Sequence, residues 1–115
     1  MARETEIKFK IRLDDQNMPE KINWTATDGP QGDGDECKSI MIGMWDGIEK
    51  NTMRFDLWTK DMLLDDMKRF FHQTFLSMAD SFERATDEEA MAADMRDFAH
   101  HFADKMKLIS TSSSS

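Results

Sequence analysis

Residues 52–82, TMRFDLWTKDMLLDDMKRFFHQTFLSMADSF, decide the fold, because the period of their apolar side chains changes partway along. From Thr52 to Thr59, Met53, Phe55 and Leu57 alternate with Arg54, Asp56 and Trp58, the period of two that belongs to a strand. From Met62 onward, Leu63, Met67, Phe70, Phe71, Thr74, Phe75, Met78 and Phe82 recur at steps of three and four, one face of a helix. The spacing predicts a helix over 62–85. Asp61 stands where an N-cap belongs, and Asp65 and Asp66 complement the positive end of the helix dipole.

Everything upstream reads as strand. From residue 6 to 13, Ile7, Phe9, Ile11 and Leu13 alternate with Glu6, Lys8, Lys10 and Arg12, a half-buried strand with a charged outer face. A second strand over 21–27 carries Ile22, Trp24 and Ala26 on one side. Residues 28–36, DGPQGDGDE, are turn-formers and read as a loop. Their carboxylates lack the alternate ligand positions and closing Glu of a calcium loop, so they imply no metal. The third strand, 38–45, is apolar on both sides: Ile40, Ile42 and Met44 on one, Met41 and Trp45 on the other. A hairpin connection over 46–51 leads to the fourth strand, 52–59.

Downstream, Thr86 and Glu89 have the spacing of a capping box at the start of a second helix, 87–109. Met91, Met95, Phe98, Phe102, Met106 and Ile109 form its stripe. Residues 110–115, nearly all serine, read as a disordered tail. Four antiparallel strands followed by two helices make an α+β fold over 1–109, with the amphipathic helices expected on one face of a single four-stranded sheet.

Composition bounds the function. The 115 residues carry 23 acidic and 15 basic side chains, a net charge of −8, which argues against nucleic acid and anionic membrane as partners. A single cysteine, Cys37, excludes an internal disulfide framework, and its acidic neighbours Asp35 and Glu36 oppose thiolate formation. No stretch approaches the length of a membrane span and the N-terminus lacks a signal region, so a cytoplasmic location is expected. His72, His100 and His101 lack the spacing of a zinc site, and no phosphate loop or nucleophile elbow is present. No catalytic residue, cofactor or metal is therefore expected. The 11 methionines and 8 phenylalanines, in a chain with no tyrosine, suit adaptable apolar packing.

The informative feature is the second face of the sheet. Met41, Trp45 and Trp58 project there beside Arg54, large apolar side chains rimmed by charge. Trp and Arg are frequent binding hot spots, so Met41, Trp45, Arg54 and Trp58 are the candidate surface for self-association or a protein partner.

Several runs of the sequence resemble one family. DLWTKDM at 56–62, FFHQTF at 70–75 and MADSFERAT at 78–86, with EIKFKIRLD at 6–14 and PEKINW at 19–24, resemble the gliding motility protein GldC of Bacteroidetes. That resemblance implies a small, non-enzymatic accessory protein of the gliding machinery, tied to type IX secretion, and carries over no catalytic residues. Separately, the order of elements looks like the export chaperone SecB, an analogy of fold that implies an oligomer binding unfolded clients.

Overall fold

A computed structural model describes residues 2–108; Ile109 and the serine tail lie outside the described residues. The elements run β1 (Ile7–Leu13), β2 (Pro19–Ala26), β3 (Asp35–Cys37), β4 (Ser39–Asp46), β5 (Asn51–Trp58), α1 (Leu64–Thr86) and α2 (Glu89–Lys105). Antiparallel strands followed by two helices give the α+β class. The chain divides into a strand unit ending at Met62 and a helical unit beginning at Leu63.

The expected four-stranded sheet is instead two sheets, β1-β2-β3 and β4-β5. The division falls at Lys38. Before it, Asp35, Glu36 and Cys37 pair with Trp24, Asn23 and Ile22 of β2. After it, Ser39 to Asp46 pair with Trp58 to Asn51 of β5. The chain thus changes partner within one nearly continuous extended run, and the end of what reads as an acidic loop is strand. Lys38 closes the junction: its carbonyl accepts from Thr59 N–H at 2.8 Å, and its ammonium pairs with Glu36 at 3.1 Å and Asp61 at 3.2 Å.

Gly34 explains why the chain can enter β3 at all. Its φ is +78°, a region unfavourable for side-chain-bearing residues, and a Cβ there would lie 2.1 Å from the Trp24 carbonyl oxygen. Gln31 secures the preceding turn by donating from Nε2 to the carbonyls of Ala26, Thr27 and Gly29.

Ile22 and Thr59 are the largest side chains fully buried in the strand unit. Beside Thr59, Lys60 N–H donates to Pro19 O at 2.9 Å while its ammonium meets Asp14 at 2.8 Å. Asp14 also accepts from the amides of Gln16 and Met18, closing the β1–β2 turn. The Lys60 hydrogen bond, then these two amides, hold the Asp14 carboxyl down to about 2.

Both expected helix caps are corrected. Asp61 does not cap α1, whose first turn has no side-chain cap; Leu63 holds the N-cap position. The Asp61 carboxylate is occupied by the Thr59 hydroxyl at 2.7 Å and by Lys38, and these contacts lower its pKa. Thr86 is the last residue of α1 rather than the cap of α2. Its hydroxyl donates to Phe82 O at 2.8 Å and accepts from Glu88 N–H at 3.1 Å. Asp87, left-handed at φ 59°, ends the helix by donating its N–H to Glu83 O.

The helical unit is an antiparallel hairpin closed along small side chains. Ala79 of α1 and Ala92, Ala99 and Ala103 of α2 are fully buried. Phe75 packs edge-on against Phe98 at 5.4 Å and Phe102 at 5.2 Å. Arg96 crosses between the helices to Asp80 and Glu83, both at 2.8 Å.

Candidate functional site

The β4–β5 ribbon holds all four candidate interaction residues. In an antiparallel pair, side chains directly opposite share a face. The register Ser39↔Trp58, Met41↔Asp56, Gly43↔Arg54 and Trp45↔Thr52 therefore puts Met41, Trp45, Arg54 and Trp58 on one face. They do not form one cluster. Trp45 stands near the hairpin tip and Trp58 at its base, six residues apart in register, about 20 Å.

Between the two indoles lies an ion pair. Arg54 donates from Nη2 to Asp56 Oδ1 at 2.8 Å and from Nε to Oδ2 at 3.3 Å, a two-pronged contact along β5 that raises the guanidinium pKa. The guanidinium reaches over Gly43 on β4, where a Cβ would sit 3.9 Å from Arg54 Nη1. Met41 is half-buried opposite Asp56, whereas Trp45 is 64% exposed and Trp58 52%.

The opposite face of the same ribbon carries Ile40, Ile42 and Met44 against Leu57, Phe55 and Met53. Ile40, Ile42 and Leu57 are half-buried toward the base; Met44, Met53 and Phe55 are exposed toward the tip. At the tip itself Ile48 is 88% exposed. The turn that presents it is fixed by Asp46, whose carboxylate accepts the amides of Ile48 at 2.8 Å and Glu49 at 3.1 Å and is thereby held below its ordinary pKa. Sequence reasoning missed Ile48 because residues 46–51 read only as a connection; an isoleucine among turn-formers was the available signal. Toward the tip the ribbon thus exposes Trp45 on one face, Met44, Met53 and Phe55 on the other, and Ile48 at its end.

The helical hairpin offers a second apolar surface. Because the alanines bring α1 and α2 together, larger side chains of the stripes remain outside: Phe71, Met78, Met91 and Phe98 are all exposed. A cavity of about 290 Å³ lies among Phe75, Met78, Met91, Asp94, Met95 and Phe98. Met78 and Met95 also line a second cavity of about 510 Å³ with Phe70, Thr74 and Phe82.

The histidines do not assemble with other reactive groups. His72 is half-buried on α1 with no hydrogen-bond partner for Nε2, and His100 and His101 are exposed on α2. Among the described residues no group of three or more His, Cys, Asp or Glu is placed to hold a metal ion. Burial raises the pKa of the half-buried Cys37 thiol, with Glu36 adding to the shift. No described helix is long and apolar enough to cross a membrane.

Comparison with known proteins places the chain. Neither curated proteins nor solved structures give a match. The family described as gliding motility-associated protein GldC-like matches residues 19–108, which run from the start of β2 to beyond the end of α2. The chain belongs to the GldC-like family of gliding motility-associated proteins.

Proposed function

We propose that this chain is a non-enzymatic, cytoplasmic adaptor of the gliding and type IX secretion machinery, which self-associates and holds a protein partner through the β4–β5 ribbon. One observation carries the reading: Trp45, Ile48, Met53, Phe55 and Trp58 are all half or more exposed on one two-stranded element. An isolated two-stranded ribbon is marginal in water, and a concentrated apolar surface of this kind is what an interface buries. The Arg54–Asp56 pair between the indoles supplies the polar contact that fixes register in such an interface.

A second reading, a SecB-like holdase that binds unfolded clients without ATP, is favoured by the methionine-lined cavities of the helical hairpin. Aggregation suppression separates the two. Unrelated client proteins are heated with the full chain, no nucleotide present. The adaptor reading expects no general suppression; broad suppression at substoichiometric amounts supports the holdase. Chromosomal Trp45→Ala with Trp58→Ala is expected to abolish gliding at normal protein level, and unchanged gliding overturns the choice of surface.

A further inference from the structure

We infer that the free edge of β1 takes up an extended, acidic strand from a protein partner by strand addition. The site is distinct from the ribbon and rests on the adaptor reading only in that a partner exists. β1 is an edge of its sheet: β2 pairs along one side and, among the described residues, no strand lies along the other. It is seven residues long, without proline, and the irregularity in its pairing is confined to Arg12 and Leu13. Six of its seven residues are exposed. An exposed, long, regular edge is a template for another chain.

Charge selects the occupant. In a chain of net charge −8, Lys8, Lys10 and Arg12 stand in a row on one face of this edge, backed by Lys21 opposite Arg12. Their ion pairs are loose: Lys8 meets Glu6 and Arg12 meets Glu20, each at 3.5 Å, on side chains that are 73% exposed for both cations. Exposed pairs of this kind hold little free energy, so the cations stay available. A second copy of β1, added antiparallel and centred on Lys10, would set Lys10 against Lys10 and Lys8 against Arg12, which disfavours self-pairing. A strand alternating acidic with apolar side chains meets the opposite situation on both faces. Its carboxylates lie against Lys8, Lys10 and Arg12, and its apolar side chains lie against Ile7, Phe9 and Leu13, exposed 66%, 38% and 50%. The same lysines that repel a like strand recruit an acidic one.

The probe is a fluorescent nine-residue peptide alternating glutamate with isoleucine and phenylalanine, titrated with the full chain and followed by anisotropy. Saturable binding is expected. N-methylation of the peptide at alternate residues keeps its charge but removes ladder donors, and is expected to abolish binding. Lys8→Glu with Lys10→Glu and Arg12→Glu, all on exposed side chains, is expected to weaken binding by about tenfold or more and to confer binding of the lysine version of the peptide. Equal binding of the N-methylated or a scrambled peptide overturns strand addition. No binding overturns the site. A change in the molar mass of the unliganded protein on charge reversal makes a second copy the occupant, and also overturns it. Failure here leaves the ribbon reading standing, because Trp45 and Trp58 are unchanged in every variant.

Discussion

The two sheets of the strand unit are built from the same kind of alternating sequence and end in different situations. In β1-β2 the alternation separates cleanly: Ile7, Phe9, Ile11, Ile22 and Trp24 share one face, and Lys8, Lys10, Arg12, Lys21 and Asn23 the other, while short β3 adds Asp35 beside Trp24 at the margin of the apolar face. In β4-β5 it does not separate, because Met41, Trp45 and Trp58 oppose the face of Ile42, Met44, Met53 and Phe55. A strand pair with one apolar face needs one cover, and a pair with two needs two. The proposed interaction role of the ribbon rests on that difference, and the other sheet keeps a charged face.

The largest way to break the comparison is at Gly34. Gly34→Ala places a Cβ against the Trp24 carbonyl and a side chain at positive φ. It is expected to cost about 3 kcal/mol or more in a urea titration. Amide exchange should accelerate across β2 and β3 before β4 and β5. Next comes a matched pair of truncations. Ile22→Ala empties a fully buried site and is expected to cost about 2–4 kcal/mol at every protein concentration. Phe55→Ala removes a side chain that is 51% exposed, so its cost should be smaller in dilute protein and grow with concentration as assembly buries it.

A smaller effect sharpens the support rather than the ribbon. The folded-state carboxyl of Asp14 is held at about 2 by Lys60 and two backbone amides. A depressed carboxyl contributes stability that is fully present above the ordinary carboxylate range and is lost as pH falls toward the folded value. Asp14→Asn should therefore melt below wild type at neutral pH, and the gap should close between about pH 4 and pH 2. A gap that stays constant with pH would assign the loss to the amide hydrogen bonds alone.

Local patterns in the sequence were legible and pairing was not. The fault-free alternation from Ile7 to Leu13 and the change of period near Met62 identify strand and helix directly. β3 escaped because its three residues sit at the end of a run of Asp and Gly. Only its non-local register with Ile22 and Trp24 makes it a strand. The same applies to the split at Lys38, which depends on which strand lies alongside. Asp61 and Thr86 have the residue types and spacing of caps, yet each side chain found nearer partners, Thr59 and Lys38 for one and Phe82 O for the other. In the helical unit the Met and Phe stripes dominate the pattern, but the seam runs along alanines. Ala92, Ala99 and Ala103, spaced by seven and four, mark the seam, and that spacing was readable beforehand. Of the candidate surface, the shared face of Met41, Trp45, Arg54 and Trp58 followed from parity alone. The 20 Å gap, roughly six steps along a strand, and the exposed tip at Ile48 needed the register.

The proposed role requires the ribbon to be covered in the working protein. Light scattering coupled to size exclusion, from about one to about a hundred micromolar, a range bracketing common dissociation constants, tests it most directly. The expected result is a molar mass that is a multiple of the 13.4 kDa chain at the upper concentrations, returning toward one chain in Trp45→Ala with Phe55→Ser while the far-ultraviolet circular dichroism is retained. A single-chain mass across the whole range, unchanged by the double substitution, would contradict it.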